Sequence, residues 1–166
     1  MATCSAFEAA LGCGIVFAAL VGCKKKETPE PWTVSQPNLV GRACKLTVAG
    51  GGQCQLTSRT EKPTPGDVTV GFDVIVESTG DQQIGVHPLG VKVTDRQGAS
   101  YKAFFDGGCQ PALDYQRLVG KNEKHRGWFT VNVPEATEEL TVVFPCIVVG
   151  RGDSEEVTFQ AHRGTR

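Results

Sequence analysis

The fold class is decided by the stretch Val68-Thr69-Val70-Gly71-Phe72-Asp73-Val74-Ile75-Val76-Glu77. Apolar side chains at every second position alternate with polar or small ones, and Ile75 is the one exception. A period of two is typical of a β-strand with one buried face, whereas an amphipathic helix repeats its apolar positions every 3.6 residues. We therefore predict a strand here, and we expect it to be the clearest element of the fold.

The same alternation recurs through the rest of the chain from residue 38 onward. Four further runs show one apolar face each: Leu89, Val91 and Val93; Phe129, Val131 and Val133; Leu140, Val142 and Phe144; and Val157, Phe159 and Ala161. Upstream, Cys44–Val48 and Cys54–Leu56 indicate two strands, with Gly50, Gly51 and Gly52 as the tip of the hairpin between them.

Turn-forming residues separate these runs, because Gly supplies positive φ and Asp or Ser caps its own turn. They occur at Pro63–Gly66, Ser78–Asp81, Asp95–Gly98 and Gly150–Asp153. Short strands at regular spacing predict an all-β fold, an antiparallel sandwich. The segment Pro111–Val119 alone has helical character, and we expect it to form a single turn in a long connection.

Several of these motifs resemble a known family. They are Val74–Asp81; Val93-Thr94-Asp95 with Gly98 and Tyr101; Gly127–Glu135; and Leu140–Phe144. Over roughly residues 40–162 the chain is similar to immunoglobulin-like domains of uncharacterised function in bacterial exported lipoproteins. The resemblance implies an immunoglobulin-like β-sandwich of about seven or eight strands and brings no catalytic residues. The chain departs from the family at Ser78, where Asn is usual, and in having four extra cysteines.

The N-terminal region carries a second resemblance. The apolar stretch Ala9–Gly22 is too short for a spanning helix, which needs about 20 residues, but its length fits the core of a signal peptide. Its end, Leu20-Val21-Gly22-Cys23, resembles the bacterial lipobox position by position. That implies a diacylglyceryl group on the Cys23 sulfur, cleavage before Cys23, and acylation of the new amine.

Two alternatives to this interpretation stay open. Residues 9–22 could form a buried helix with Cys23 as an ordinary thiol, or cleavage could occur before Cys13. Met1–Glu8 contains no Lys or Arg, although signal peptides usually begin with positive charge.

The chain is therefore divided into a signal peptide at residues 1–22, a lipidated cysteine with a flexible Pro- and Lys-rich tether at 23–37, and one sandwich domain at 38–166. If extended, the tether would reach roughly 40 Å, at about 3.1 Å per residue. Trp32 either packs on the domain or rests at the membrane interface. Lys24 stands where an inner-membrane lipoprotein usually has Asp, so the lipobox resemblance implies the outer membrane of a two-membrane cell.

The chain has seven cysteines. Cys4 and Cys13 would leave with the signal peptide, and lipid would occupy Cys23. The remaining four, Cys44, Cys54, Cys109 and Cys146, predict two disulfides in an exported protein, with three possible connectivities. We favour Cys44 with Cys54 and Cys109 with Cys146, because the first pair closes a short loop. A Cys₄ zinc site is the competing interpretation, but the sequence lacks the Cys-x-x-Cys pair typical of one.

Charge and motif content exclude several function classes. The chain has 17 Lys plus Arg against 18 Asp plus Glu, for a net charge of −1. A nucleic-acid binder normally carries a clustered basic excess, so we expect no nucleic acid partner. The sequence contains no Gly-x-Ser-x-Gly, no His-Glu-x-x-His and no Walker loop. We therefore expect no catalytic residues and no cofactor.

Three weaker candidate sites remain. A cupredoxin-type copper site needs a His near its Cys and usually an axial Met, whereas Cys146 has no His before His162, and Met1 is the sole methionine. A calcium site could use oxygens around Cys109, from Asp106, Gly107, Gly108 and Asp114. A basic cluster, formed by Lys121, Lys124, His125 and Arg126, is a solvated loop or a contact for an acidic partner or anionic glycan.

Together these observations predict a lipid-anchored exported protein of the cell envelope with a non-catalytic binding or structural role. Its expected partners are membrane lipid, through acylated Cys23, and an unknown protein or envelope component. The alternative is an exported carrier of calcium or copper, or an accessory domain of an enzyme.

Overall fold

A computed structural model describes residues 31–54, 63–105 and 108–164. These segments form ten β-strands: β1 Trp32–Val34, β2 Asn38–Val40, β3 Cys44–Gln53, β4 Asp67–Ser78, β5 Ile84–Gly85, β6 Lys92–Asp95, β7 Ser100–Phe104, β8 Lys124–Pro134, β9 Glu139–Val148 and β10 Ser154–Arg163. One 3-10 turn, Pro88–Gly90, completes the regular structure of the described segments, which contain no α-helix. The predicted all-β class is confirmed, with more strands than the seven or eight expected.

The strands form two antiparallel layers of a sandwich. One layer has the order β2-β3-β4-β8-β7, and the other has β1-β10-β9-β6, with the short strand β5 also paired to β9. The seven strands β3, β4, β8 and β7 over β10, β9 and β6 reproduce the four-plus-three arrangement of an immunoglobulin constant-type domain. The β6–β7 hairpin joins the layers along one side, and β1 bridges β10 and β3 along the other.

The core lies between the layers and is built from the apolar face of each strand. Phe72 of β4 packs against Phe159 of β10, with ring centres 5.6 Å apart, and Phe129 of β8 packs against Phe144 of β9 at 5.9 Å. All four rings are buried. Burying an aromatic side chain removes about 150–250 Å² of surface from water, and each Å² of buried apolar area contributes about 25 cal/mol to the free energy of folding. These ring contacts therefore hold the two layers together.

The decisive stretch behaves as predicted. It lies in β4, which pairs with β3 on one side and with β8 on the other, so it is the central strand of its layer. Val70, Phe72, Val74 and Val76 point into the core and are fully buried.

The glycine run is not a hairpin tip, and that prediction was wrong. Gly50, Gly51 and Gly52 lie inside the single strand β3, opposite Asp73, Phe72 and Gly71, after a bulge that follows Val48. A Cβ on Gly51 would come within 3.0 Å of the Trp32 side chain. The run is glycine-rich in part because β1 crosses it closely, which is a known reason for glycine inside a strand.

Trp32 packs on the domain, and the expected start of the domain at residue 38 was wrong. Trp32–Val34 form β1, which pairs with Arg163–Ala161 of β10. The Trp32 ring is buried and meets Phe72 edge to face, at 6.4 Å between ring centres. Residues 32–34, assigned to the tether, are therefore part of the sandwich.

Two disulfides are present, but the pairs of cysteines that they join differ from the pairs that we favoured. Cys44 pairs with Cys146, and Cys54 pairs with Cys109. Cys44 begins β3 and Cys54 follows its last residue, so an extended strand of roughly 30 Å separates them. A disulfide needs Cα atoms within about 7 Å, and the observed pairs meet this at 6.3 and 5.4 Å.

The Cys44–Cys146 disulfide lies in the core and the Cys54–Cys109 disulfide lies outside the layer. Cys44 and Cys146 are fully buried and connect β3 to β9 across the two layers. The other disulfide crosses β4 at Gly71, where an added Cβ would overlap Cys54 Sγ and lie 3.1 Å from Cys109 Sγ. Glycine at position 71 therefore makes room for the second disulfide.

One expected strand begins later than predicted. Leu89 belongs to the 3-10 turn, and β6 starts at Lys92. The turn forms because Pro88 presets its first φ and the His87 side chain caps it by accepting from the Leu89 amide, at 3.2 Å. Leu89 then points outward instead of into the core.

The Asp-Gly-Tyr hairpin between β6 and β7 has a clear physical basis. Asp95 Oδ1 accepts from the amides of Gln97 and Ala99, each at 2.9 Å, and Gly98 supplies a φ of +85°. The Tyr101 hydroxyl donates to Asp95 Oδ2 at 2.6 Å. This bond, with help from the backbone amides, lowers the pKa of the Asp95 carboxyl below its ordinary value.

We predict that Gly71→Ala destabilises the oxidised protein by about 1–3 kcal/mol, the usual cost of overpacking. Gly50→Ala on the neighbouring strand is a matched control, because its Cβ would meet nothing within 4 Å. It should leave stability unchanged or raise it by about 0.5 kcal/mol. Urea unfolding of both variants measures this.

A background with Cys54→Ser and Cys109→Ser sharpens the test. The cost of Gly71→Ala should shrink there, because the sulfur atoms that crowd the new methyl group are gone. Equal costs in both backgrounds would contradict the role given to Gly71.

Candidate functional site

Some of the predicted site residues lie among the residues that the structure describes, and others do not. Cys23 and the lipobox-like residues lie outside the described residues. Cys44, Cys54, Cys109 and Cys146 all form disulfides, and a disulfide sulfur is not a thiolate metal ligand.

The three histidines make local hydrogen bonds. His162 Nε2 lies 3.1 Å from the Ser35 hydroxyl, His87 caps the 3-10 turn, and His125 Nε2 accepts from the Asp114 amide at 3.0 Å. Within residues 31–54, 63–105 and 108–164, no group of three or more His, Cys, Asp or Glu side chains is placed to hold a metal ion.

The calcium hypothesis falls partly on undescribed residues. Asp106 and Gly107 lie outside the described segments. Asp114, a third candidate, uses Oδ1 to accept from the Gln116 amide at 2.9 Å, which is the geometry of an Asx turn.

The basic cluster is neutralised by neighbouring acids. Lys121 pairs with Asp81, and Lys124 pairs with Glu77 at 3.2 Å. Arg126 Nε lies 3.1 Å from both carboxylate oxygens of Asp73, which is buried. These side chains stabilise the outer surface of the β4–β8 pair and do not form an open patch of positive charge.

The strongest candidate site is a groove of about 470 Å³ beside β7, which we call the apolar groove. Small-ligand and side-chain pockets are commonly 300–1,000 Å³, mostly apolar, with a few polar groups. Its principal lining residues are His87, Leu89, Lys102, Phe104, Leu113 and Tyr115.

The 3-10 turn forms the first wall of the apolar groove. Its position is fixed by Gly90, where an added Cβ would overlap the ring of Pro145 on β9. With the turn packed this closely, Leu89 projects into solvent and is 76% exposed.

The second wall is formed by residues 114–118, which we call the flap. It lies between Leu113 and Val119, both buried, and all five of its residues are exposed. The Leu113 amide donates to the Trp128 carbonyl of β8 at 2.9 Å, and Val119 exchanges two backbone hydrogen bonds with Ile84. The flap is therefore anchored firmly at both ends.

The flap contains the single turn expected in the long connection. The Arg117 amide donates to the Asp114 carbonyl at 3.4 Å. No helix follows, because Leu113 and Val119 are held by extended strands on either side.

His125 holds the flap from the sheet side. It is buried at the end of the core face of β8, opposite Val76, and accepts from the Asp114 amide. Burial, followed by the nearby Arg117 cation, lowers the pKa of its imidazole, while Asp114 opposes this. The acceptor role requires that Nε2 carry no proton.

Aromatic side chains and one cation complete the apolar groove. The His87 and Tyr115 rings meet edge to face, with centres 5.6 Å apart, and so link the two walls. On the floor, Lys102 Nζ lies 4.9 Å above the centre of the Phe104 ring, a cation–π distance. The apolar groove thus offers aromatic surface with a positive charge at its edge.

A second cavity, of about 630 Å³, is polar and lies at the end of the sandwich near the β9–β10 turn. Its lining includes Arg42, Arg151, Asp81 and Glu155. Glu155 is already used: it accepts from the amides of Arg42 and Ala43 at 2.7 and 2.6 Å, and these bonds, Ala43 first, lower its pKa. Asp81, in turn, pairs with Lys121. Because these acidic groups already have partners within the chain, we favour the apolar groove.

Solved structures share this fold at low sequence identity. They include ycdA, a proposed lipoprotein of Bacillus subtilis, with a TM-score of 0.65 and 12% identity over 80% of this chain. A conserved hypothetical protein of Bacillus anthracis gives 0.52 at 11% identity, with 80% of this chain and 99% of that protein covered. A functionally unknown Listeria monocytogenes protein gives 0.51 at 12%, covering 76% and 85%.

At these identities the likeness establishes the fold alone. The chain spans 40% of the length of ycdA. No protein-family model matches the sequence, and no curated protein matches it. In the part of the chain that the structure describes, no helix has the length and apolar character needed to cross a membrane.

Sequence reasoning missed the apolar groove. Its lining comes from three separate segments, His87–Leu89, Lys102–Phe105 and Ala112–Tyr115. The available signal was Pro88 after His87, which starts a 3-10 turn and turns Leu89 outward.

We predict that Arg126→Met destabilises the protein by about 2 kcal/mol, because it leaves the buried Asp73 carboxylate without its cation. Lys124→Met is the matched control on the same strand, and the change should stay within about 0.5 kcal/mol, as for an exposed pair. Urea unfolding at neutral pH compares them. Equal effects of the two substitutions would show that Asp73 does not depend on Arg126.

Proposed function

We propose that this chain is a lipid-anchored, exported binding module without catalytic activity, whose apolar groove receives an apolar side chain of an envelope protein. The observation that carries this proposal is the exposure of Leu89 and Tyr115, at 76% and 48%, on facing walls of one groove. Exposed aromatic and large apolar side chains gathered in one place mark interaction sites more often than they mark a resting surface.

The composition of the apolar groove favours a protein partner. The apolar groove combines an aromatic centre with polar groups at its edge, Lys102 and Asp114, which is the anatomy of a binding hot spot and its rim. Tyrosine is among the residues that most often carry binding energy at such sites.

Export and anchoring are supported by three independent features. The segment Leu20–Cys23 resembles a lipobox, the two disulfides suit an oxidising compartment, and ycdA, which shares the fold, is a proposed lipoprotein. Two or three acyl chains on Cys23 would hold the protein on a membrane where one chain would not. Lys24 favours the outer membrane over the inner one.

The fold would present the apolar groove away from that membrane. The chain enters the domain at Pro31, whose carbonyl accepts from the Gly164 amide at 2.8 Å, next to the end of β10. The turn that carries Leu89 packs on Pro145, which pairs with Glu156 near the start of β10. Seven strand residues separate these points, roughly 23 Å, so the groove lies far from the point at which the chain enters the domain.

The anchor predicts a clear result on fractionation. Cys23→Ala should leave the chain uncleaved or release it from the membrane fraction, because no acyl group can be attached. Cys13→Ala is the matched control and should partition as the unsubstituted chain does. If Cys23→Ala partitions with membrane as before and with unchanged mass, the anchor is wrong.

The apolar groove predicts a loss of partner binding. Leu89→Ala combined with Tyr115→Ala should reduce recovery of a crosslinked envelope protein by about tenfold, as expected for truncated anchors worth about 1–2 kcal/mol together. Val40→Ala, with Val40 74% exposed on the distant edge strand β2, is the matched control and should bind normally. Equal recovery by all three chains would exclude the groove as the binding site.

A further inference from the structure

Two histidines from different elements contact adjacent residues of the flap. His125, on β8, accepts from the Asp114 amide at 3.0 Å. His87 caps the 3-10 turn, and its ring meets the Tyr115 ring with their centres 5.6 Å apart. Both histidines therefore contact the flap, one from β8 and one from the 3-10 turn.

Both imidazoles are hydrogen-bond acceptors, so both must carry a free lone pair. Nε2 of His125 accepts from Asp114, and Nδ1 of His87 accepts from the Leu89 amide. An imidazolium has N–H groups at both positions and accepts at neither. Protonation of His125 would place a new donor against the amide donor of Asp114.

The charged surroundings of His125 do not favour its protonated form. From the flap it faces the Arg117 cation and the Asp114 carboxylate, and β4 places Val76 opposite it. Burial and Arg117 outweigh Asp114, so the pKa of His125 lies below its ordinary value. On β8 itself, the adjacent cations Lys124 and Arg126 are engaged with Glu77 and Asp73.

The surroundings of His87 are largely apolar. The Tyr115 ring meets it from the flap, and Leu89 lies beside it on its own turn. From β7, Lys102 lines the same groove, and Asp114 lines it from the flap.

The flap is suited to local opening. Its five residues are exposed, and Asp114 accepts two hydrogen bonds from within the flap itself, from the amides of Gln116 and Arg117. Segments with few buried contacts open with small free energies while the rest of the domain stays folded. Leu113 and Val119 at its ends remain buried in the core.

We propose that the apolar groove is a pH-dependent site, formed while the neutral His125 imidazole accepts from the Asp114 amide and opened when protonation of His125 releases the flap. A partner would be held near neutral pH and released in a mildly acidic medium. This proposal rests on the proposed function only for the identity of the bound partner, because the flap can open without one.

The direction follows from linkage. A histidine whose pKa is lowered in the closed state stabilises that state fully above its ordinary pKa of about 6.5, and this stabilisation is lost as the pH falls below that value. Between pH 7.5 and 5.0 the equilibrium for opening should therefore rise by about tenfold.

Hydrogen exchange of the oxidised full chain tests this directly. After correction for the intrinsic effect of pH, protection of the Asp114 amide and of residues 115–118 should fall by about tenfold from pH 7.5 to 5.0. Protection of Val157–Ala161 in β10 should stay constant. Equal protection of the flap at both pH values would overturn the proposal.

Substitutions separate the histidines from general acid effects. In His125→Gln, an amide oxygen replaces the acceptor nitrogen, so the flap should stay protected at both pH values. His125→Leu should leave it exposed at both. His162→Gln is the matched control, because His162 lies on β10 next to Ser35, and it should behave as the unsubstituted chain. A pH response retained in His125→Gln would overturn the proposal.

Failure of the two proposals can be told apart. A pH-dependent flap in a chain that recovers no partner would refute the binding function and leave the switch intact. A recovered partner that is held equally at pH 5.0 and 7.5 would refute the switch and leave the binding function intact.

Discussion

The cross-layer disulfide between Cys44 and Cys146 is the constraint on which the rest of the domain depends. It joins the first long strand of one layer to a central strand of the other, and both cysteines are fully buried beside the core. The two residues are 102 positions apart. On the loop-closure model, crosslinking about 100 residues contributes about 4–5 kcal/mol by restricting the unfolded chain. The disulfide therefore fixes the spacing of the two layers, between which Leu113 and Val119 are buried.

The second disulfide extends this order to the candidate site. Cys109 is held against β4 through Cys54, over the space left by Gly71. Two residues later the same connection pairs with β8, where the Trp128 amide donates to the Pro111 carbonyl at 2.8 Å. Gly127 permits this approach, since a Cβ there would overlap the Leu113 backbone. A covalent link on the outside of one layer thus sets where the flap begins, although the flap itself is weakly held.

The sequence predicted the parts of the fold that depend on local periodicity. Alternation identified β4, β8, β9 and β10, because one buried face imposes a period of two. It could not place Gly50–Gly52, since glycine suits a turn and a closely crossed strand equally well, and only the position of Trp32 decides between them. The disulfide pairing failed for a related reason: closeness along the chain is no guide when a strand of roughly 30 Å lies between two cysteines. The apolar groove joins three distant segments, so no local pattern could reveal it.

The distribution of charge explains why the apolar groove stands out from the remaining surface. Along β8, Arg126 and Lys124 are matched by carboxylates on β4, and at the polar cavity Glu155 is satisfied by backbone amides. These groups stabilise the fold through the contacts that they already make. A partner would gain little free energy by binding them, because each new contact would require breaking an existing one. Leu89 and Tyr115, in contrast, expose apolar surface to water, and burying it is favourable for any partner of matching shape. Because the neutral His125 imidazole positions the flap that carries Tyr115, the shape of that surface depends on proton concentration in a way that the disulfide-braced core does not.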